Sequence, residues 1–72
     1  MSFLVRPEEI FGVNAGRVWE ALRGEEGLTA KEIARKTGLK ITEVYAALGW
    51  LGREGKIEII RGRKTLRFKL LE

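Results

Sequence analysis

Residues 29–55 read TAKEIARKTGLKITEVYAALGWLGREG. Thr29 and Glu32 stand in the Thr-x-x-Glu spacing of a capping box, in which each side chain satisfies a free backbone N–H at a helix start. The helix so begun covers 30–37, with Ile33 and Ala34 facing inward and Lys31, Arg35 and Lys36 facing out. Gly38 follows as the left-handed residue that stops it, and Leu39 is the apolar residue beyond. A further helix runs from about 41 to 54. At 100° per residue, Val44, Ala47, Leu48 and Leu51 fall within about 100° of one another and form its core face. Gly55 ends it. Two short helices joined by Thr37-Gly38-Leu39 make a helix-turn-helix.

Upstream, Ala15, Val18, Trp19 and Leu22 recur at i, i+3, i+4 and i+7, which predicts a first helix with Asn14 as its N-cap and Gly24 after its end. Pro7 suits the first position of a short helical turn, where Glu8 and Glu9 favour the positive end of the dipole. Phe3, Leu4, Val5, Ile10 and Phe11 are too apolar for a free tail, and residues 1–12 are expected to pack on something. Downstream of Lys56 the period becomes two. A two-residue turn at Gly62-Arg63 would set Ile59 against Leu66, Ile57 against Phe68 and Glu58 against Arg67. That register places both apolar pairs on one face and the ion pair on the other, with Ile60 and Thr65 beside it. The segment Gly27-Leu28-Thr29 supplies a third strand at the hairpin edge. The expected fold is α+β: a winged helix-turn-helix of three helices and a C-terminal β-hairpin wing. It forms one domain over 1–72, divided into an extension (1–12), a three-helix core (13–55) and the wing (56–71).

Composition narrows the chemistry. At 72 residues the chain forms a single domain, burying about 60% of the surface exposed by its unfolded form. It has no Cys, no His and no Asp. Such a chain lacks the usual general base, a thiolate nucleophile and the soft or imidazole metal ligands. An enzyme is therefore not expected, nor a cofactor, a metal or a small-molecule substrate. With disulfides and metals removed, any reinforcement of so small a core must come from a partner or a second copy. Phe3-Leu4-Val5 is too short for a signal peptide or a membrane span, and Arg6-Pro7 ends the apolar run, so a cytoplasmic protein is expected.

The run Asn14-Ala15-Gly16-Arg17-Val18-Trp19 and the run Ala47-Leu48-Gly49-Trp50-Leu51-Gly52-Arg53-Glu54-Gly55-Lys56-Ile57 resemble a small prokaryotic winged-helix family of unknown function. The resemblance covers roughly residues 10–70 and implies the winged-helix fold without supplying an activity.

Charge suggests a partner. The net +4 is concentrated in residues 56–72, which by themselves sum to +4, while residues 1–27 sum to −2. A local positive field favours polyanions. Arg61, Arg63 and Lys64 sit at the expected hairpin tip with Arg67 beyond, and Lys31, Arg35, Lys36 and Lys40 extend a basic track across the helix-turn-helix. Arg53 completes the candidate nucleic-acid contacts. The third helix is a poor reader of bases. Its exposed face presents Thr42, Ala46, Gly49 and Arg53, where bidentate base readers would be Arg, Lys, Asn or Gln. DNA contacts would therefore be dominated by the wing and low in specificity, in a module that regulates transcription. The same face suits a protein partner or a homodimer: Ile41, Tyr45, Ala46, Gly49 and Trp50 form a smooth strip bordered by aromatics. Trp50 could equally fold back on the N-terminal segment, covering Phe3 or Phe11.

Overall fold

The computed structural model describes residues 2–71. The chain enters helix at Pro7, already in the right-handed region, and runs through a π-helical turn over Glu8–Gly12 into α1, Val13–Leu22. Asn14 is therefore no N-cap. It lies inside a helix that has already begun, and the acidic first turn at Glu8 and Glu9 marks the true start. The expected short turn at Pro7 and the expected first helix are one continuous element. Its C-terminus is closed at Gly24, with φ of +74°.

α2 (Ala30–Thr37) and α3 (Ile41–Arg53) match the expected helices closely. The Thr29–Glu32 box is formed in both directions: Thr29 N–H donates to Glu32 Oε1 at 2.8 Å, and Glu32 N–H donates to Thr29 Oγ1 at 3.2 Å. Gly38 takes φ of +78° and donates to the Ala34 carbonyl, ending α2. α3 ends in the same manner. Gly55 has φ of +72°, and the Lys56 N–H reaches back to the Leu51 carbonyl at 3.0 Å.

β1 (Ile57–Arg61) and β2 (Leu66–Leu70) form the antiparallel wing. Their register differs from the expected one. Ile57 opposes Leu70, Ile59 opposes Phe68, and Arg61 opposes Leu66. The turn has four residues, 62–65, closed by Gly62 N–H donating to the Thr65 carbonyl at 2.8 Å. Burial of Leu70 explains the difference. The longer turn brings Leu70 beside Ile57 and both into the core, whereas a two-residue turn would leave it beyond the sheet. The offset is two residues, so every side chain keeps its face. The expected Glu58–Arg67 pair is lost, and Lys69 stands opposite Glu58. Leu28 bridges Phe68 through two hydrogen bonds of 3.0 and 2.7 Å, making the expected third strand a single pair on the β2 side.

Val18, Leu22, Ile33 and Val44 are fully enclosed, with Ala47, Leu48, Leu51 and Phe68 around them. α3 packs on α1, α2 and β1 and is the hub of the domain. Trp19 stays outside this core. It is partly exposed, and the Arg23 guanidinium sits 5.6 Å from its ring centre while also pairing with Glu20. Phe3, Leu4, Val5, Ile10 and Phe11, expected to pack, are all exposed. Residues 2–6 precede the helix without regular secondary structure, and nothing among the described residues buries them.

Candidate nucleic-acid interface

The root of the wing meets the start of α2 because Leu28, one residue before the Thr29 cap, is pinned to Phe68 of β2. An open groove results between the wing tip, the first turn of α2 and the first turns of α3. Thr29, Ala30, Lys31, Ile41, Tyr45 and residues 61–66 line it. Among the described residues it therefore holds four cations, Lys31, Arg61, Arg63 and Lys64, and no carboxylate. None of the four makes an ion pair among the described residues.

The nearest acids are held elsewhere. Glu32 Oε1 accepts from the Thr29 N–H and lies 3.7 Å from Arg67. The Thr29 backbone bond, aided by the Thr29 hydroxyl and the charges of Arg67 and Arg35, keeps the Glu32 carboxyl ionised to below its ordinary 4.5. Glu43 Oε1 accepts from the Lys40 N–H at 2.8 Å. Two capping carboxylates thus serve their own helix starts, and the groove between those starts is left positive.

Two of the basic residues read as nucleic-acid contacts also make internal bonds. Arg67 donates to the Gly27 carbonyl at 3.3 Å and pairs with Glu32, tying the outer face of β2 to the start of α2. Lys36 donates to the Ala21 carbonyl and to Glu25, both at 2.8 Å, and locks α2 to the end of α1. Sequence could not reveal either, since each joins residues at least eleven apart across the fold. Arg35 and Lys40 are exposed but do not line the groove. Arg53 lies about 18 Å along α3 from Ile41, at the opposite end of the helix from the groove.

The residues read as a protein interface also divide. Ile41 and Tyr45 form a wall of the basic groove. Tyr45 is 53% exposed, with its ring edge-on to Phe68 at 6.4 Å. Ala46 is half-buried. Trp50 is half-buried too, its ring close to Gly12, where an added Cβ would stand 3.8 Å from Cζ2. Trp50 therefore packs within the chain, on the π-turn and not over Phe3, which stays exposed. Gly49 faces open space. Thr29 and Thr65 also line the groove, although the sequence placed them only as a helix cap and on the outer face of the wing. The capping box was the available signal for Thr29, whereas the four-residue turn that places Thr65 was not legible from the sequence.

Known proteins share this architecture. The chain is 37% identical to protein BT2368 from Bacteroides thetaiotaomicron, whose solution structure superposes with a TM-score of 0.83 over 90% of this chain and 79% of that one. Type III plasmid segregation TubR superposes with a TM-score of 0.68 at 17% identity, covering 100% of this chain and 80% of that one, a likeness of fold alone. The uncharacterized protein MJ1608 of Methanocaldococcus jannaschii is 39% identical over 61 residues, 82% of this chain and 87% of that protein. A segment of the phenylalanine–tRNA ligase alpha subunit of Methanothermobacter thermautotrophicus is 41% identical over 51 residues, 71% of this chain. The chain spans only 10% of that subunit's length. Three helices, a helix-turn-helix closed by Gly38 and a two-stranded wing agree with the family model matched by residues 7–70, and the chain belongs to the winged helix-turn-helix domain family DUF2582.

Proposed function

We propose that the chain is a nucleic-acid-binding module that grips the phosphate backbone with its wing and serves transcription regulation in the cytoplasm, without catalysis. The fold is one that typically binds nucleic acid. The observation that carries the reading is the carboxylate-free groove holding Lys31, Arg61, Arg63 and Lys64, all without ion partners among the described residues. Phosphate contacts of this type position a protein on a duplex without reading its sequence. α3 adds little base readout, because its accessible face offers Thr42, Ala46 and Gly49, with Arg53 at the far end of the helix.

The segment shared with a tRNA ligase subunit brings structured RNA in beside duplex DNA as the polyanion. Titration of both duplexes by fluorescence anisotropy, with amide shifts followed by NMR, tests the proposal. Binding at low salt should shift residues 31 and 61–65. Four phosphate contacts on DNA predict a log–log salt slope of about −3 to −4. Absence of binding to either duplex at about 50 mM salt, or binding that ignores removal of Arg63 and Lys64, overturns it.

A further inference from the structure

On the inner face of the wing, Ile59 shares a side with the buried Ile57 and Phe68, yet it is 56% exposed. The cause lies across from it. α3 presents Gly49 and Gly52 there, and nothing stands within 4 Å of a Cβ built on either. The result is an apolar trough between α3 and β1, with Tyr45, Ile59 and Phe68 among its walls and the two glycines along its floor. Each glycine weakens the helix, and no contact among the described residues requires either one.

The backbone beside the trough is also unpaired. β2 is held by Leu28 on one side and β1 on the other, so β1 is the free edge. Phe68 directs its own N–H and carbonyl to Leu28. Its partner Ile59, with Ile57 and Arg61 in the same phase, therefore points backbone groups outward. A bare strand edge beside an apolar trough is a template for an added strand.

The chain carries a segment of matching shape. Residues 2–6 lie outside regular secondary structure, and residues 2–5 make no backbone hydrogen bond among those described. Phe3 is 82% exposed and Leu4 completely so. The four residues 2–5, with unbonded backbone, are short enough to lie along the five of β1. With period two, Phe3 and Val5 would enter the trough while Leu4 lies along the exposed Ile60 of the outer face. Charge agrees as well. The Arg6 guanidinium makes only an exposed pair with Glu8, its backbone being tied to Glu9, and Glu58 on β1, opposite Lys69, makes no ion pair among the described residues.

We infer that two copies of this chain form a symmetric dimer by exchanging N-terminal arms, each arm adding to the free edge of β1 and filling the trough over Gly49 and Gly52 of the other. This goes beyond nucleic-acid binding and uses none of the wing-tip cations.

Sedimentation equilibrium of the full chain, without nucleic acid, should give twice the 8.2 kDa monomer mass. Leu4→Glu and Phe3→Glu, at positions outside the core, should each leave the circular dichroism unchanged and weaken association about a hundredfold. Gly49→Leu, filling the trough on an otherwise open helix face, should do the same. Arg6→Glu should weaken the dimer, and combining it with Glu58→Arg should restore it. A wild-type chain that stays monomeric at millimolar concentration overturns the inference, whether or not its arm amides are protected by docking on the same chain. A dimer indifferent to both arm variants overturns it equally.

Discussion

Gly38 and Gly49 show how differently one residue type can serve. Gly38 holds φ of +78°, a conformation that costs a side-chain-bearing residue about 1–2 kcal/mol, and Gly38→Ala should lower stability by that amount in urea denaturation. Gly49 is helical and opens onto empty space, so Gly49→Ala should raise the stability of the folded chain by up to about 1 kcal/mol. Glu32 gives a pH prediction. Its folded pKa lies below the ordinary 4.5, so its contribution is complete above that value and is lost as pH falls through the lower, folded one. Thermal melts from pH 7 to pH 3 should show an acid limb that is shallower in Glu32→Gln. At this scale sequence was a good guide. The Thr29–Glu32 box and the stops at Gly38 and Gly55 are local chemistry within three or four residues, and each stands where the spacing placed it.

At the scale of elements, the wing separates two kinds of arginine. Arg63 is at the tip without an ion partner among the described residues, while Arg67 braces β2 to Gly27 and Glu32. Arg63→Ala should therefore reduce the salt slope of duplex binding by about one and leave the melting temperature nearly unchanged. Arg67→Ala should lower the melting temperature and leave the slope alone. A reversal of the two results would show that the internal bonds of Arg67 give way on binding. The hairpin register was only partly legible. Its face parity follows from alternation in sequence, but the turn length depends on Leu70 entering a core built by helices far upstream.

For the whole molecule, the core is small enough that one side chain matters. A 72-residue domain holds a net stability of about 4–11 kcal/mol. Leu22→Ala removes a fully buried side chain and should cost about 2–5 kcal/mol. The variant should be largely unfolded at 37 °C by circular dichroism if the parent lies near the low end of that range. Arm exchange would raise the apparent stability with concentration, since binding of the folded form alone shifts unfolding. Melts at two concentrations tenfold apart should then differ.

Sequence by itself determined the helices, their stops, the inward faces and the order that makes a winged helix-turn-helix, because capping, glycine conformation and periodicity act between near neighbours. The same neighbour rules put the cations of the wing at its tip. Only the tertiary structure decided which cations remain unpaired, that Trp50 lies on the π-turn at Gly12, and that Ile59 faces a trough. Those outcomes depend on which side chain the fold brings opposite another. Lys36 meets the Ala21 carbonyl across fifteen residues and Arg67 meets that of Gly27 across forty. No periodicity reaches that far, because contact between distant residues is set by how the helices and the sheet pack together.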